Sequence, residues 1–272
     1  MSEASLTAEQ RQRYARHLAL AEIGPAGQRR LLRSSVLIVG VGALGSPVAL
    51  YLAAAGVGTI GLVDHDHVRL SNLQRQVIHS MAGLNRSKVD GAARTVGGLN
   101  PGIKVDAVEA TVDEHNAMDL LRGYDVIVDG TDTFRARYLL SDTAYLLRKP
   151  LVHGSIFRIE GQVTVFTPGR GCYRCLYPEP PPAGAIEESE QVGVLAALPG
   201  IIGTIQAAET IKQITGTGEP LVNRVLLHDT MAMTFREVRY RRNPACPTCG
   251  DRPSITSLAD YRAVAAAEEG RR

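Results

Sequence analysis

Val36-Leu37-Ile38-Val39-Gly40-Val41-Gly42-Ala43-Leu44-Gly45 is the stretch on which the reading of the fold turns. Four consecutive apolar residues running into glycines predict a short strand buried on both faces, as in a parallel sheet. The glycines match G-x-G-x-x-G, and a helix of small residues follows over roughly 44–55. Such glycines let the backbone turn tightly and approach phosphates, while the helix N-terminus offers free N–H groups and a partial positive charge. A second strand, 59–63, ends at Asp64, 22 positions past Gly42. A carboxylate placed there can bind ribose hydroxyls. The pattern predicts a nucleotide with a ribose, and NAD is the usual occupant of such a turn.

Working outward, further apolar strands are expected at 105–108, 125–129, 151–155 and 162–167, separated by helices at 88–99, 114–121 and 135–148. Strands alternating with helices predict a Rossmann-like α/β fold, a doubly wound, mainly parallel sheet. Upstream, 8–20 reads as one charged helix followed by a Gly-Pro-Ala-Gly turn at 24–27. Downstream, 169–185 is too rich in Pro and Gly for a helix or central strand and reads as a long mobile loop. A buried helix is expected near 194–215, then two strands of an antiparallel C-terminal extension, 224–227 and a half-exposed 235–240. The tail beyond Asp251 reads as a fraying helix. No internal repeat is visible.

The 272 residues are 44% apolar and 21% charged with a net charge of +2, an ordinary globular balance with no bulk case for nucleic acid or an anionic membrane as partner. The polar start argues against a secretory signal. The most apolar stretch, 192–214, carries Pro199, Glu209 and Lys212, so it reads as a core helix rather than a membrane span. A cytoplasmic protein is expected.

The residues after the second strand depart from a dehydrogenase. Asp64-His65-Asp66 leads into Ser71-Asn72-Leu73-Gln74-Arg75-Gln76, Lys88 lies a short way on, and Asp129-Gly130-Thr131-Asp132 closes a later strand. Ligands sit at the carboxyl ends of such strands. Asn72, Arg75 and Lys88 on one arm, and Asp129 and Asp132 on the other, are expected to converge on the glycine turn. Arg and Lys stabilise a charged phosphoryl transition state, and a carboxylate can hold Mg²⁺. No Walker A pattern occurs. The four cysteines form two pairs, Cys172/Cys175 and Cys246/Cys249, with 70 residues between the pairs. Two C-x-x-C pairs supply four thiolates, a closed structural Zn²⁺ site; a redox pair or disulfides would need a separate explanation for each. The seven histidines show no metal spacing and read as surface or core.

Arg13-Tyr14-Ala15-Arg16, the Gly40–Gly45 turn, the segment 64–76, Lys88, Gly130-Thr131-Asp132 and the paired C-x-x-C motifs together resemble the MoeB/ThiF family, relatives of ubiquitin-activating enzymes, from about Leu6 to Gly250. The resemblance implies ATP-dependent adenylylation of the C-terminal Gly-Gly carboxylate of a small ubiquitin-like sulfur carrier, such as those serving molybdenum cofactor or thiamin biosynthesis. It implies that Gly40, Gly42, Ala43 and Gly45 lie under the ATP phosphates and that Asp64 holds the ribose. Asn72, Arg75 and Lys88 would contact the phosphates, Gln76 would support them through Arg75, and Asp132 would bind Mg²⁺. Asp66 would be a second ribose or Mg²⁺ contact. Arg16 would reach the neighbouring subunit's site, making the functional unit a homodimer. Residues 1–34 would then be an N-terminal helical segment, 35–251 the adenylation domain with its zinc site, and 252–272 a tail. Arg137 also matches a family arginine, though it equally suits bracing a helix.

Three departures stand out. Ser189 occupies the position where many members carry a cysteine, so a cysteine-linked intermediate is not expected, and a separate sulfurtransferase would deliver sulfur. Ala43 replaces a frequent glycine. Thr133 replaces the asparagine that commonly follows the aspartate, which would weaken local hydrogen bonding. No rhodanese-like segment follows the second cysteine pair. Two other function classes compete: an NAD-dependent oxidoreductase, supported by the glycine turn and Asp64, and a non-catalytic carrier-binding scaffold, motivated by Ser189 and Thr133.

Overall fold

In the computed structural model, which describes residues 6–181, 193–259 and 261, the apolar run becomes β1 (Ser35–Val39). It pairs in parallel with β2 (Thr59–Asp64) and, on its other side, with β4 (Val126–Asp129). β3 (Lys104–Glu109) lies outside β2, and β5 (Leu151–Phe157) outside β4, both again parallel. The direction then reverses through β6 (Glu160–Phe166), β7 (Arg224–Asp229) and β8 (Thr234–Arg239). The result is one eight-stranded sheet in the order β3-β2-β1-β4-β5-β6-β7-β8. Chain connections leave β1 for β2 on one side and return from β3 to β4 on the other. The β1/β4 boundary is therefore the switch point at which such sheets open a ligand crevice.

Helices α1 (Ala8–Arg13), α2 (Ala15–Leu18), α3 (Gly24–Arg33), α4 (Gly45–Ala55), α5 (Lys88–Leu99), α6 (Ala117–Arg122), α7 (Phe134–Leu146), α8 (Tyr173–Leu176) and α9 (Leu198–Thr215) accompany the strands. Val36 and Ile38 pack with Val48, Leu52, Val96 and Ile202 on one face of the sheet. Leu37 and Val39 pack with Leu121, Ile127, Leu139 and Leu140 on the other. Alternate residues of β1 thus enter opposite cores, which is why the strand reads as an unbroken apolar run. α9 begins with Pro199 in its first turn and ends on Gly216 in the left-handed conformation, the usual stop signals. No helix among the described residues is long and apolar enough to cross a membrane.

Four expectations need correction. The N-terminal helix is broken at Tyr14, whose ring is buried and whose hydroxyl accepts a hydrogen bond from Asn100 Nδ2 at 2.9 Å. The stretch 24–27 is not a turn but the first turn of α3, because Pro25 is tolerated where no intrahelical N–H is needed. Within 169–185, the Cys172–Cys175 pair closes the single helical turn α8, with the Cys175 N–H donating to the Cys172 carbonyl at 3.0 Å. β8 is antiparallel as expected, yet all six of its residues are exposed, unlike those of β3 at the sheet's other edge. Alternation in sequence does not distinguish an edge strand from a half-covered one.

Candidate active site

The glycine turn is shaped by contacts that exclude side chains. Gly40 has φ +88°, and a Cβ there would lie 2.7 Å from the Gly130 carbonyl oxygen. A Cβ at Gly45 would lie 2.0 Å from the Gly40 carbonyl oxygen. Only glycine permits both the left-handed backbone and this closeness. The turn from β1 and the loop after β4 therefore meet at the switch point, with Gly130 N–H donating to the Val39 carbonyl at 2.8 Å. Gly42 and Ala43 are half-exposed at the mouth of the turn, where α4 begins.

Asp64 closes the turn from the side. Its Oδ2 accepts from the Val41 N–H at 2.8 Å and its Oδ1 from the Asp66 N–H at 2.9 Å. Asp66 Oδ2 in turn meets Lys88 Nζ at 2.8 Å. Burial would raise the Asp66 carboxyl, but the Lys88 hydrogen bond and charge, aided by His65 and Arg69, outweigh it and hold it below the usual range. Lys88 is only 5% exposed, and it is the first residue of α5. A buried ammonium at the positive end of a helix is electrostatically unfavourable without anionic company. Gln76 is buried with Nε2 facing Gly42, and its Oε1 has no partner; Ser87 Oγ beside Lys88 is likewise unpaired. The Gln76 Nε2 facing Gly42 and the unpaired Ser87 hydroxyl beside Lys88 are donors and fit a polyanionic nucleotide, whereas Gln76 Oε1 is an acceptor and does not serve one.

The remaining residues of the two arms are only partly as expected. Asn72 Oδ1 accepts from the Arg69 N–H at 3.1 Å, and the Asn72 carbonyl accepts the N–H groups of Arg75 and Gln76. Arg75 is half-buried and, among the described residues, its side chain bonds its own turn, Nη1 to the Ser71 carbonyl at 3.2 Å. Asp132 is exposed at the entrance to α7. Thr133 caps α7, its hydroxyl accepting from the Ala136 N–H at 3.3 Å, so the substitution preserves the cap. Asp129 does not point to the turn. It is fully buried, with Oδ2 2.7 Å from His153 Nδ1 and Oδ1 accepting from the Thr131 N–H and hydroxyl. Arg137 is buried, stacks on Phe134, and donates to the Thr131 carbonyl at 3.5 Å, so it braces this loop. Arg16 is exposed on α2, next to the Tyr14 ring that packs on Gly56 at the far end of α4 from the glycine turn. The chain does not bring its own Arg16 to its own cradle.

Beyond the Arg137 side of the loop lies a cavity of about 520 Å³ lined by Phe134, Arg137, Phe157, Gln162, Tyr177 and His228, among others. It lies over the antiparallel strands and starts where α7 starts. The cysteine pairs also come together. Cys172 Sγ and Cys246 Sγ are 3.5 Å apart, Cys175 Sγ and Cys249 Sγ 3.2 Å, and all four sulfurs lie within 4.8 Å of one another. These spacings are too long for disulfides and close to the roughly 3.8 Å edge of a tetrahedron with metal–sulfur bonds of about 2.3 Å. The four-thiolate set fits Zn²⁺ with no open coordination position. The knot is tied to α7: buried Arg174 donates to Asp142 Oδ2 at 2.9 Å, and Thr248 Oγ1 to Asp142 Oδ1 at 2.6 Å. Ser189 lies outside the described residues.

Two histidines that read as bland in sequence touch the site. His79 Nε2 lies 2.9 Å from the Val41 carbonyl, and His153 holds Asp129. Burial is the main cause holding both imidazoles below their ordinary pKa, against the hydrogen bonds that would raise them. A folded pKa below the unfolded one means that stability is lost as pH falls through about 6.5, where the unfolded chain takes protons that the folded chain refuses. Each histidine contributes a slope of at most about 1.4 kcal/mol per pH unit. Urea midpoints should therefore drop between about pH 7.5 and about pH 5.5, and a flat profile would contradict the assigned burial.

Comparison with known proteins places this geometry. The ThiF family model matches residues 14–248. A sulfur carrier protein adenylyltransferase of Thermus thermophilus is 44% identical over 94% of this chain and 97% of its own length. The SAMP-activating enzyme E1 of Haloferax volcanii is 49% identical over 94% of both chains. A probable adenylyltransferase/sulfurtransferase MoeZ of Mycobacterium tuberculosis is 46% identical, and this chain spans 65% of its length. Among solved structures, the Microcin C7 biosynthetic enzyme MccB in complex with N-formylated MccA superposes with a TM-score of 0.79 at 24% identity, over 88% of this chain and 75% of that one, a likeness of fold. With the family model covering most of the chain and relatives this similar along their whole length, the protein belongs to the ThiF family.

Proposed function

We propose that the protein uses ATP to adenylylate the C-terminal carboxylate of a small ubiquitin-like sulfur-carrier protein, with release of pyrophosphate. The observation that carries this reading is the glycine turn Gly40–Gly45, whose close backbone approach to Gly130 admits no side chain at Gly40 or Gly45, together with the buried Lys88 ammonium paired with half-exposed Asp66. A carboxylate oxygen of the carrier attacks the α-phosphorus, the bond to the bridging oxygen breaks, and its electron pair leaves with pyrophosphate. No proton has to be removed, so the site needs positioning and charge neutralisation rather than a general base. Asp64 retains lone pairs for the ribose. Lys88, Arg75, Asn72 and Gln76 neutralise and orient the phosphates, Asp132 would hold Mg²⁺, and Asp66 would be a second ribose or Mg²⁺ contact. When bound, that ion supplies further neutralisation of the charge on the phosphates. The cavity beside α7 suits the carrier's C-terminal tail, because it leads toward the Asp132 loop.

Arg16, remote from the cradle of its own chain, acts in this reading on a partner subunit's site, which makes the unit a homodimer. Residues 1–34 are then the segment that reaches across, 35–251 the adenylation domain and 252–272 the tail. The four-cysteine knot holds structural zinc, and thiols kept for a metal suit a reducing, cytoplasmic setting. All four cysteines of the sequence are in that knot. None is left for a thioester or persulfide, so a separate sulfurtransferase supplies sulfur. Incubation with carrier and Mg-ATP should accordingly yield no thiol-sensitive enzyme–carrier conjugate on a non-reducing gel; a conjugate reversed by dithiothreitol would overturn this part.

Carrier-dependent ATP–pyrophosphate exchange is the test of the activity. Exchange that requires a carrier ending in Gly-Gly supports the reading. Nucleotide binding without exchange favours a carrier-binding scaffold, and reduction of NAD by small alcohols or acids favours an oxidoreductase.

A further inference from the structure

The Asp129–His153 pair has no part in the reading above, yet it lies directly beneath the loop that reading depends on. The two residues are opposite each other in the parallel pairing of β4 and β5, and neither side chain is exposed to solvent. A carboxylate in such a place requires donors. Asp129 has three: His153 Nδ1 at 2.7 Å, the Thr131 N–H at 2.9 Å and the Thr131 hydroxyl at 2.7 Å. Its backbone carbonyl is held separately by Gln206 Nε2 at 2.8 Å. The carboxylate therefore acts as a post to which the start of the Gly130–Thr133 loop is tied, and Asp132 is the next residue after the tied one. Arg137 holds the same Thr131 from above through its carbonyl.

His153 is what holds the post. With Nδ1–H donating to Asp129, its Nε2 is a bare acceptor, and that atom has no hydrogen-bond partner among the described residues. An imidazole left half-satisfied in a core calls for a reason. Its ring stands edge-on to Tyr173 with centroids 5.1 Å apart, and Tyr173 lines the cavity beside α7. One side chain thus touches the loop support through a nitrogen and the cavity floor through its ring.

We propose that His153 is a positioning residue for adenylyl transfer: its Nδ1–H orients the Asp129 carboxylate, which fixes the Gly130–Thr133 loop and so the placement of Asp132. This rests on the adenylylation reading. The role is one of hydrogen bonding, not of filling space, and the two are separable. His153→Asn retains an N–H donor near the Nδ1 position and discards the ring; His153→Phe retains the ring and discards the donor.

The phenylalanine variant should lose about tenfold or more in kcat for carrier adenylylation with KM for ATP within about twofold, since misplacement by an ångström is enough for such losses. The asparagine variant should recover most of that kcat. Equal losses in both variants, or full kcat in the phenylalanine variant, would overturn the proposal. Nitrogen NMR of histidine-labelled wild-type protein supplies a readout independent of either variant's folding. The His153 signal, identified by its absence in whichever variant is soluble or by its coupling to Tyr173 protons, should be that of a neutral ring with a slowly exchanging Nδ1 proton. An Nε2–H or doubly protonated ring would contradict the geometry. If wild-type enzyme adenylylates no carrier, the functional reading fails, while the NMR result still decides whether His153 donates to Asp129.

Discussion

Lys88→Ala lowers carrier adenylylation by about 10²–10³-fold while leaving the protein folded, the scale of loss when one preorganised donor to a developing charge is removed. The size of the effect follows from where the ammonium sits. It is 5% exposed, at the first position of α5, where the helix end is itself positive. Asp66 supplies one compensating charge at 2.8 Å, and a triphosphate supplies more. The Lys88 charge is desolvated in advance, so it acts at full strength on the nucleotide in a way that a solvated lysine does not. The fold survives because Asp66 keeps 40% of its side chain in water and is not stranded. Pyrophosphate exchange and a thermal melt on the same sample check both halves. A variant within about threefold of wild type would remove Lys88 from the site. Arg75→Ala and Asp132→Ala should also suppress exchange, and full activity in both would contradict the assignment of those residues.

Replacing Cys175 with alanine, or stripping the metal with a strong chelator, should cost stability on the order of 5–10 kcal/mol, since zinc binding by four thiolates contributes folding energy of that order. The pairs 172/175 and 246/249 come from segments 70 residues apart, and the sulfurs meet within 4.8 Å. Without the ion the four sulfurs would take up protons and lose the bonds that join them, and the C-terminal segment would lose that tether. The consequence reaches the active site. Arg174 and Thr248 both bond to Asp142 on α7, the helix whose entrance carries Asp132. Metal analysis should find about one zinc per chain in the wild type and far less in the variant. A variant that keeps its melting temperature and activity without metal would show that the knot is dispensable.

Local chemistry made much of this molecule legible. The strand, glycine turn, helix and Asp64 lie within one βαβ unit, where every determinant is a neighbour in sequence, and the cysteine pairs announce themselves by spacing. What was not legible depends on register between distant segments. Asp129 and His153 are 24 positions apart and become partners only because β4 and β5 align in parallel. His79 reads as surface or core with no role at the site, yet it props the Val41 carbonyl because the segment after Asn72 folds back over the glycine turn. Gly24-Pro25 has the composition of a turn, and it starts a helix because Gln28 and Leu31 find burial against the fold. The uniform exposure of β8 reflects how little of the rest of the fold covers its two faces, which its own residues do not record.

The claim on which all of this depends is that a peptide's terminal carboxylate, and not a thiol or a nicotinamide, is the group that meets the nucleotide. Intact-mass analysis of a candidate carrier after incubation with the enzyme and Mg-ATP, with pyrophosphatase present, addresses it directly. The account predicts that a carrier ending in Gly-Gly gains one AMP and that the same carrier lacking its final glycine gains none. AMP on neither carrier across the plausible set, or AMP found on the enzyme instead, would contradict it.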